Sequence, residues 1–339
     1  VPIDSVGADP GVVEADHGVE GADPGVVVAE QGLVAAEHRL VGADPASAGA
    51  ESAARLSGTE RSPAVLRQLG LIARLGPTAA DGGDLPVRIR RDSRDPTTGV
   101  LAWADVADMT SVVRRAVERE LVAGHTPVLI GGCCALEPAA LAGARSVLGQ
   151  VGIVHIDGHL DLYDGTTSPT GEAADMPMAV ILGKGPAEWV ETLGTPVPGV
   201  QAAVLGHRDQ AEIADGFGDL AVDLGVDVVD ADTLRGDPAG EARRVADRLS
   251  IPLWIHLDVD VLDQDVCLAT DYLMPGGLTW TELRSVLMVL LERADAVGFS
   301  LACYNPDKDR DSSVGRALVD MLAEVLPLVG RGVTAQGVS

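Results

Sequence analysis

Aromatic residues are scarce: Phe, Tyr and Trp make up only 3% of the 339 residues. A core must therefore rest on Val, Leu, Ile and Ala, and a hydrophobic share of 46% is enough for a sizeable one. Basic residues are also few, 25 against 51 acidic ones, for a formal charge of -26. That balance excludes the concentrated basic face a phosphate backbone needs, so no nucleic-acid partner is expected. No apolar run reaches the ~20 residues that cross a bilayer, so no membrane partner is expected either. Four cysteines, Cys133, Cys134, Cys267 and Cys303, are too sparse for a disulfide-built fold. The sequence after Val1 lacks a basic-then-apolar export pattern, and a cytoplasmic location is the expectation.

Three regions are distinguishable. Residues 1–56 open with a short strand-like segment, VPIDSV, followed from Gly7 by consecutive acidic sevens such as GADPGVV and EADHGVE. Pro10, Pro24 and Pro45 oppose a continuous helix there, so a flexible insertion is expected rather than a coiled coil. Residues 57–330 read as one domain, and 331–339 as a tail. Within the domain, SPAVLRQLGLIARLG predicts a helix beginning at Pro63, and 106–122 predicts an amphipathic one. Strands are predicted in HTPVLIGG and at 151–156, 201–205, 224–229, 252–257 and 296–301, with helices near 136–147, 173–183, 209–214, 239–249, 279–292 and 314–326. Apolar strands alternating with helices predict an α/β fold with a mostly parallel sheet covered on both faces. Ligands in such sheets bind beyond the carboxyl ends of the strands.

The unusual residues stand at those ends. HIDGHLDLYD carries Asp157, His159 and Asp161 at alternate positions, which share one side if the chain is extended. HLDVDVLD carries Asp258 and Asp260 in the same relation, and IGGCCAL places Cys133 and Cys134 after a glycine pair. Clustered acids repel and are costly to desolvate, and a cation resolves that cost. Five carboxylate or imidazole groups with one thiolate suffice for two divalent ions if two carboxylates bridge. Ions ~3.5–4 Å apart can then lower the pKa of a shared water and aim it at an electrophilic carbon.

From about Ser57 to Leu326 the chain resembles the ureohydrolase superfamily of arginase, agmatinase, guanidino-acid hydrolases and formiminoglutamase. The resemblance is carried by GTERSPAVLRQLGL, IGGCCALEPAAL, VHIDGHLDLYD, WIHLDVDVLD, PGGLT at 275–279 and Asn305–Pro306. It implies a three-layer α/β/α domain with an eight-stranded parallel sheet and a dimanganese centre. It also implies a homo-oligomer, trimer or hexamer, and a small-molecule guanidine or amidine substrate. Matched by position, Asp157 and Asp258 resemble the bridging carboxylates. Cys134 and Asp161 would complete the first metal position, His159 and Asp260 the second. The implied reaction is attack by a hydroxide bridging the two ions, with Asp260 orienting it or holding its proton.

Several positions depart from the family. Its GGDHS motif is GGCCA here, so Cys134 replaces a histidine ligand, and a softer thiolate raises Zn2+ or Fe2+ as alternatives to Mn2+. A cysteine there is also a feature of the hydroxyarginine hydrolase of cycloserine biosynthesis, with similar IDGH and Thr170–Gly171 wording. That likeness implies a modified guanidine such as an N-hydroxyguanidine. The proton-shuttling histidine of arginase maps near Ala174, and the acid that anchors the guanidinium maps to Cys303. Glu172, Asp175 or Asp271 could supply a substitute charge. Tyr163 takes the place of a substrate-contacting asparagine. His207 and His256 are candidates for substrate or supporting contacts, His155 stands to Asp157 as His256 does to Asp258, and Arg208 is expected to be structural. These departures keep two other readings open: a non-catalytic metal-binding or assembly protein, and a cysteine-assisted hydrolase acting through Cys303.

Overall fold

The computed structural model describes residues 25–28, 58–89, 93–293 and 295–330. Most of the acidic sevens, VPIDSV, His17, His38 and the tail at 331–339 lie outside them. The strands are β1 (Gly25–Val28), β2 (Ala80–Asp81), β3 (Val128–Ile130), β4 (Gly152–Ile156), β5 (Ala202–His207), β6 (Asp227–Asp230), β7 (Leu253–Asp258) and β8 (Ala296–Ala302). Their order across the sheet is β2-β1-β3-β8-β7-β4-β5-β6, and the paired strands run parallel. β1 lies inside the stretch expected to be flexible. Its three successive valines favour an extended chain, and it pairs in register with Val128–Ile130.

Alternation along each strand builds the layers. Val128, Ile130, Val154 and Ile156 pack with Leu66, Val245, Leu287 and Leu318 from the helices on one face. Leu129, Ile153 and Trp254 pack on the other face with Val113, Leu141 and Trp189. The result is a three-layer α/β/α arrangement, two cores separated by one sheet. Trp254 is fully buried, donates its indole N–H to Ser300 Oγ at 2.9 Å, and rests on Gly298, where an added Cβ would lie 2.1 Å from the indole Cζ3.

The predicted helices differ from the observed ones at particular residues. The helix expected through SPAVLRQLGLIARLG breaks at Gly70, which is left-handed at φ 91°, into Ser62–Gln68 and Leu71–Leu75. The one expected over 173–183 is a 3-10 turn at Ala173–Asp175 and a short helix at Pro177–Ile181, because Pro177 can start a helix but not continue one. No helix among the described residues is long and apolar enough to cross a membrane.

Candidate metal centre

Four contiguous strands, β3, β8, β7 and β4, end beside one cavity of about 320 Å3. Cys134 follows β3, Asp157, His159 and Asp161 follow β4, Asp258 ends β7 with Asp260 just beyond, and Cys303 follows β8; all seven line the cavity.

The acids converge through turns rather than by strand alternation. Asp157 Oδ1 folds back to accept the His159 amide at 2.8 Å, and Asp258 Oδ1 accepts the Asp260 amide at 2.7 Å. Asp161 has a left-handed backbone at φ 53°, which Asp tolerates better than most side chains. The loop joining it to β4 is clasped by Glu212, whose carboxylate accepts from the amides of Leu160 and Asp161 at 2.5 and 3.1 Å. Gly158 donates its amide to Asp260 Oδ1 at 3.0 Å, and a Cβ there would meet that oxygen at 2.9 Å and Arg208 Nη1 at 2.7 Å. Arg208 is structural, as expected: its guanidinium donates to the carbonyls of Asp260, Leu262 and Met274 at 2.7, 3.1 and 3.3 Å.

Ligand atoms gather in overlapping groups, each within 4.8 Å. Asp157, His159 and Asp260 form one; Cys134, Asp258 and Cys303 another; Asp161 joins Asp157 and His155. The His159 ring lies 3.1 Å from Asp260 Oδ2 and 3.3 Å from Asp157 Oδ1. The Cys134 thiol donates to Asp258 Oδ2 at 2.8 Å.

The charge pattern suits a cation. Burial, then repulsion from Asp157, pushes the Asp161 and Asp260 carboxyls up, and burial with Asp260 and Asp157 does the same to Asp258. Against the cost of burial, acidic neighbours push the pKa of His155 and His159 up, and the two histidines in turn hold Asp157 low. The buried acids thus favour positive charge in their midst. Asp161 Oδ2 is buried with no hydrogen-bond partner, 3.6 Å from His155 Nε2, which leaves it able to ligate a cation. The donor set therefore fits a divalent metal pair.

Under the cavity runs a buried chain that sequence reading only touched. Glu137 contacts His155 Nδ1 at 3.0 Å, and His155 Nε2 lies 3.1 Å from Asp157 Oδ2. His155 stacks on His256 with centroids 5.3 Å apart, and His256 Nδ1 bonds Ser300 Oγ at 2.7 Å. His256 Nε2 is buried without a hydrogen-bond partner, and the ring offers a nitrogen within 4.8 Å of ligand atoms of Cys134 and Asp157. His207 is not in this cavity: it lines a separate cleft with Asp230, and burial lowers its pKa.

The rim is polar and acidic. Thr170 and Ser168 donate to Asp175 Oδ2 at 2.6 and 2.7 Å. Tyr272 lines the cavity with its ring edge-on to His159, 5.4 Å between centroids, and donates at 3.3 Å to Oε2 of Glu172, which is buried and does not line the cavity. Asp271 is ion-paired with Lys308 Nζ at 2.6 Å and accepts from Asn305 Nδ2 at 2.7 Å. The Tyr163 hydroxyl points to Asp215 at 3.1 Å, its ring edge-on to Phe217. Glu137, Glu212, Tyr272 and Ser300 were not singled out from sequence. Glu137, three residues past Cys134, and Glu212, inside the quoted LGHRDQAE, stood beside motifs already marked; Tyr272 and Ser300 carried no such clue.

A model of the arginase family matches residues 45–327. An arginase of Brevibacillus brevis is 25% identical over 280 residues, 79% of this chain and 92% of that protein. An N(omega)-hydroxy-L-arginine amidinohydrolase of Streptomyces lavendulae is 29% identical over 217 residues, 62% of this chain and 73% of the relative. The native arginase of Bacillus caldovelox superposes with a TM-score of 0.77 at 19% identity, over 92% of this chain and all of that one, a likeness of fold.

Proposed function

The chain belongs to the arginase family, and from that premise we propose that it hydrolyses a C–N bond of a linear guanidine or amidine using two divalent ions. The observation that carries this reading is the convergence of two ligand groups, one around Asp157, His159 and Asp260 and one around Cys134 and Asp258, on one cavity floor. Cys134, Asp157, Asp161 and Asp258 would hold the first ion, and Asp157, His159, Asp258 and Asp260 the second. Mn2+ is the favoured metal by family, with Zn2+ or Fe2+ as the alternatives Cys134 introduces. When bound, such a pair supplies Lewis acidity and a water acidic enough to attack near neutral pH.

The protein's own groups do the rest. Asp260 Oδ2 takes the proton of the attacking water and returns it to the departing amine, while Arg208 fixes the Asp260 backbone. Glu212 and Gly158 set the loop that aims His159 and Asp161. At the rim, Lys308 already neutralises Asp271, which leaves Asp175 as the acid that would meet a cationic substrate, with Glu172 buried behind Tyr272. Tyr163 and Thr170 shape recognition of the substrate's far end. An N-hydroxyguanidine is less basic than a guanidine, which suits a site with Cys303 in place of an anchoring carboxylate; the amidinohydrolase relative supports that choice. The strand order, with the two-residue β2 as an edge member, supports the eight-strand family sheet. A homo-oligomer, trimer or hexamer, and a cytoplasmic setting complete the proposal, with 57–330 as the metallohydrolase domain.

The test is a turnover screen of arginine, agmatine, guanidino acids, N-hydroxyarginine and formimino compounds on protein loaded with Mn2+, Zn2+ or Fe2+. Release of urea or hydroxyurea, lost with Asp260→Asn, is expected. Stoichiometric metal binding without turnover of any compound would instead support a metal-binding or assembly role.

A further inference from the structure

Cys303 sits in a conformation that its residue type does not favour. β8 ends at Ala302, and the next residue turns left-handed at φ 64°. Cysteine lacks the short polar side chain with which Asn or Asp eases that region, and such outliers cluster where a side chain must be aimed. The Cys303 amide donates to the Gly132 carbonyl at 2.7 Å, which ties the end of β8 to the loop carrying Cys134. The two sulfurs come to 3.8 Å, and both lie within 4.8 Å of an Asp258 oxygen.

That spacing has a chemical meaning. In a tetrahedral zinc site with Zn–S of ~2.3 Å and Zn–O of ~2.0 Å, two sulfurs stand ~3.8 Å apart and a sulfur and an oxygen ~3.5 Å apart. The sulfurs are therefore at the separation of two ligands of one ion, and far beyond the ~2.05 Å of a disulfide. Cys134 Sγ lies 3.7 Å from Asp157 Oδ2, close to the second figure. It is closer, 2.8 Å, to Asp258 Oδ2, where a thiol proton bridges the pair; that contact would open by ~0.7 Å when an ion takes the proton's place.

We propose that Cys303 is a metal ligand which, with Cys134 and Asp258, makes a two-thiolate site for a thiophilic divalent ion of the zinc or iron class. This deepens the metal-hydrolase reading and rests on it. Each thiol gives one proton to solvent as its metal–sulfur bond forms, and no electron is transferred. The neighbouring position, built from Asp157, His159 and Asp260, offers only oxygen and imidazole. The two ions would then sit in unequal ligand fields, one soft and one hard.

Cobalt(II) reports on this directly, because thiolate ligation gives a near-ultraviolet charge-transfer band that oxygen and imidazole ligation does not. The full chain, reduced and titrated anaerobically with Co2+, should show that band. Cys303→Ser and Cys134→Ser should each remove about half of its intensity, and the double variant all of it, with circular dichroism confirming the fold. Should the serine variant not fold, Cys303→Gly, suited to the left-handed backbone, replaces it. X-ray absorption of the zinc-loaded wild type, which needs no variant, should show on average one sulfur per zinc at ~2.3 Å if two sulfurs bind one of two ions. A band untouched by Cys303→Ser, or half a sulfur per zinc, overturns the proposal and leaves the hydrolase reading standing. Absence of any Co2+ binding overturns both.

Discussion

Replacing Glu212 by Gln takes one ionisable group from beneath the metal loop while keeping an oxygen for one of its two amide bonds. Glu212 is 2% exposed, and burial, partly offset by the charge on His159, pushes its carboxyl from an ordinary 4.5 up to about 7. The folded state therefore holds this proton more tightly than the unfolded chain does. The stability it contributes is fully present below pH 4.5 and is lost as pH rises through about 7. At ~1.4 kcal/mol per pH unit, the gap amounts to about 3 kcal/mol. For a domain of this size, that is a fall in Tm of about 6–12 °C between pH 4.5 and 8. The assay is thermal and urea unfolding of chelator-treated protein at steps across that range, wild type against Glu212→Gln. The wild type should lose about 3 kcal/mol relative to the variant over the interval. Parallel pH profiles for the two proteins would refute the reasoning, since they would mean that Glu212 titrates alike in both states.

Three further outcomes follow from the same geometry. Divalent metal at about 100 times its Kd should stabilise the folded chain by about 2.7 kcal/mol, visible as a rise in Tm of about 5–11 °C that EDTA reverses. Asp260→Asn should lower kcat by about 10²–10⁴-fold with the fold intact, measured by product release on metal-loaded protein. Gly298→Ala places a methyl against Trp254 and should cost about 1–3 kcal/mol by urea midpoint, with a change in tryptophan fluorescence as the indole shifts.

The layered fold was legible because its strands are unbroken apolar runs, and the segments VGIVHI, PLWIHL and AVGFSL appear as β4, β7 and β8 with no end moved by more than one residue. Edge elements were less so. β1 hides inside a repeat whose prolines and acids suggest no structure, and three valines there find a partner only when β3 is placed beside them. At the site, residue types foretold which side chains would meet but not how. The alternation argument expected an extended chain past Asp157, whereas Asx-type turns and a left-handed Asp161 make the meeting. Tyr272 reaches the cavity from elsewhere in the chain with nothing in the sequence to report the contact, and Glu212, though inside the marked LGHRDQAE, is not tied by spacing to the loop it clasps. Cys303 was legible as a departure, yet its approach to Cys134 depends on β8 lying next to β3.

Asp157 and Asp258 each serve two masters, since the same carboxylate that faces the cavity also closes the turn that follows it. An asparagine gives up the charge but keeps the turn, a serine or threonine keeps it more weakly, and most others would unmake the loop along with the ligand. The Cys134 and Cys303 sulfurs close no such turn, so the thiol-bearing corner can change in chemistry more readily than the aspartates, which are pinned by architecture. New specificities on this scaffold should therefore arise first at the β3 and β8 ends.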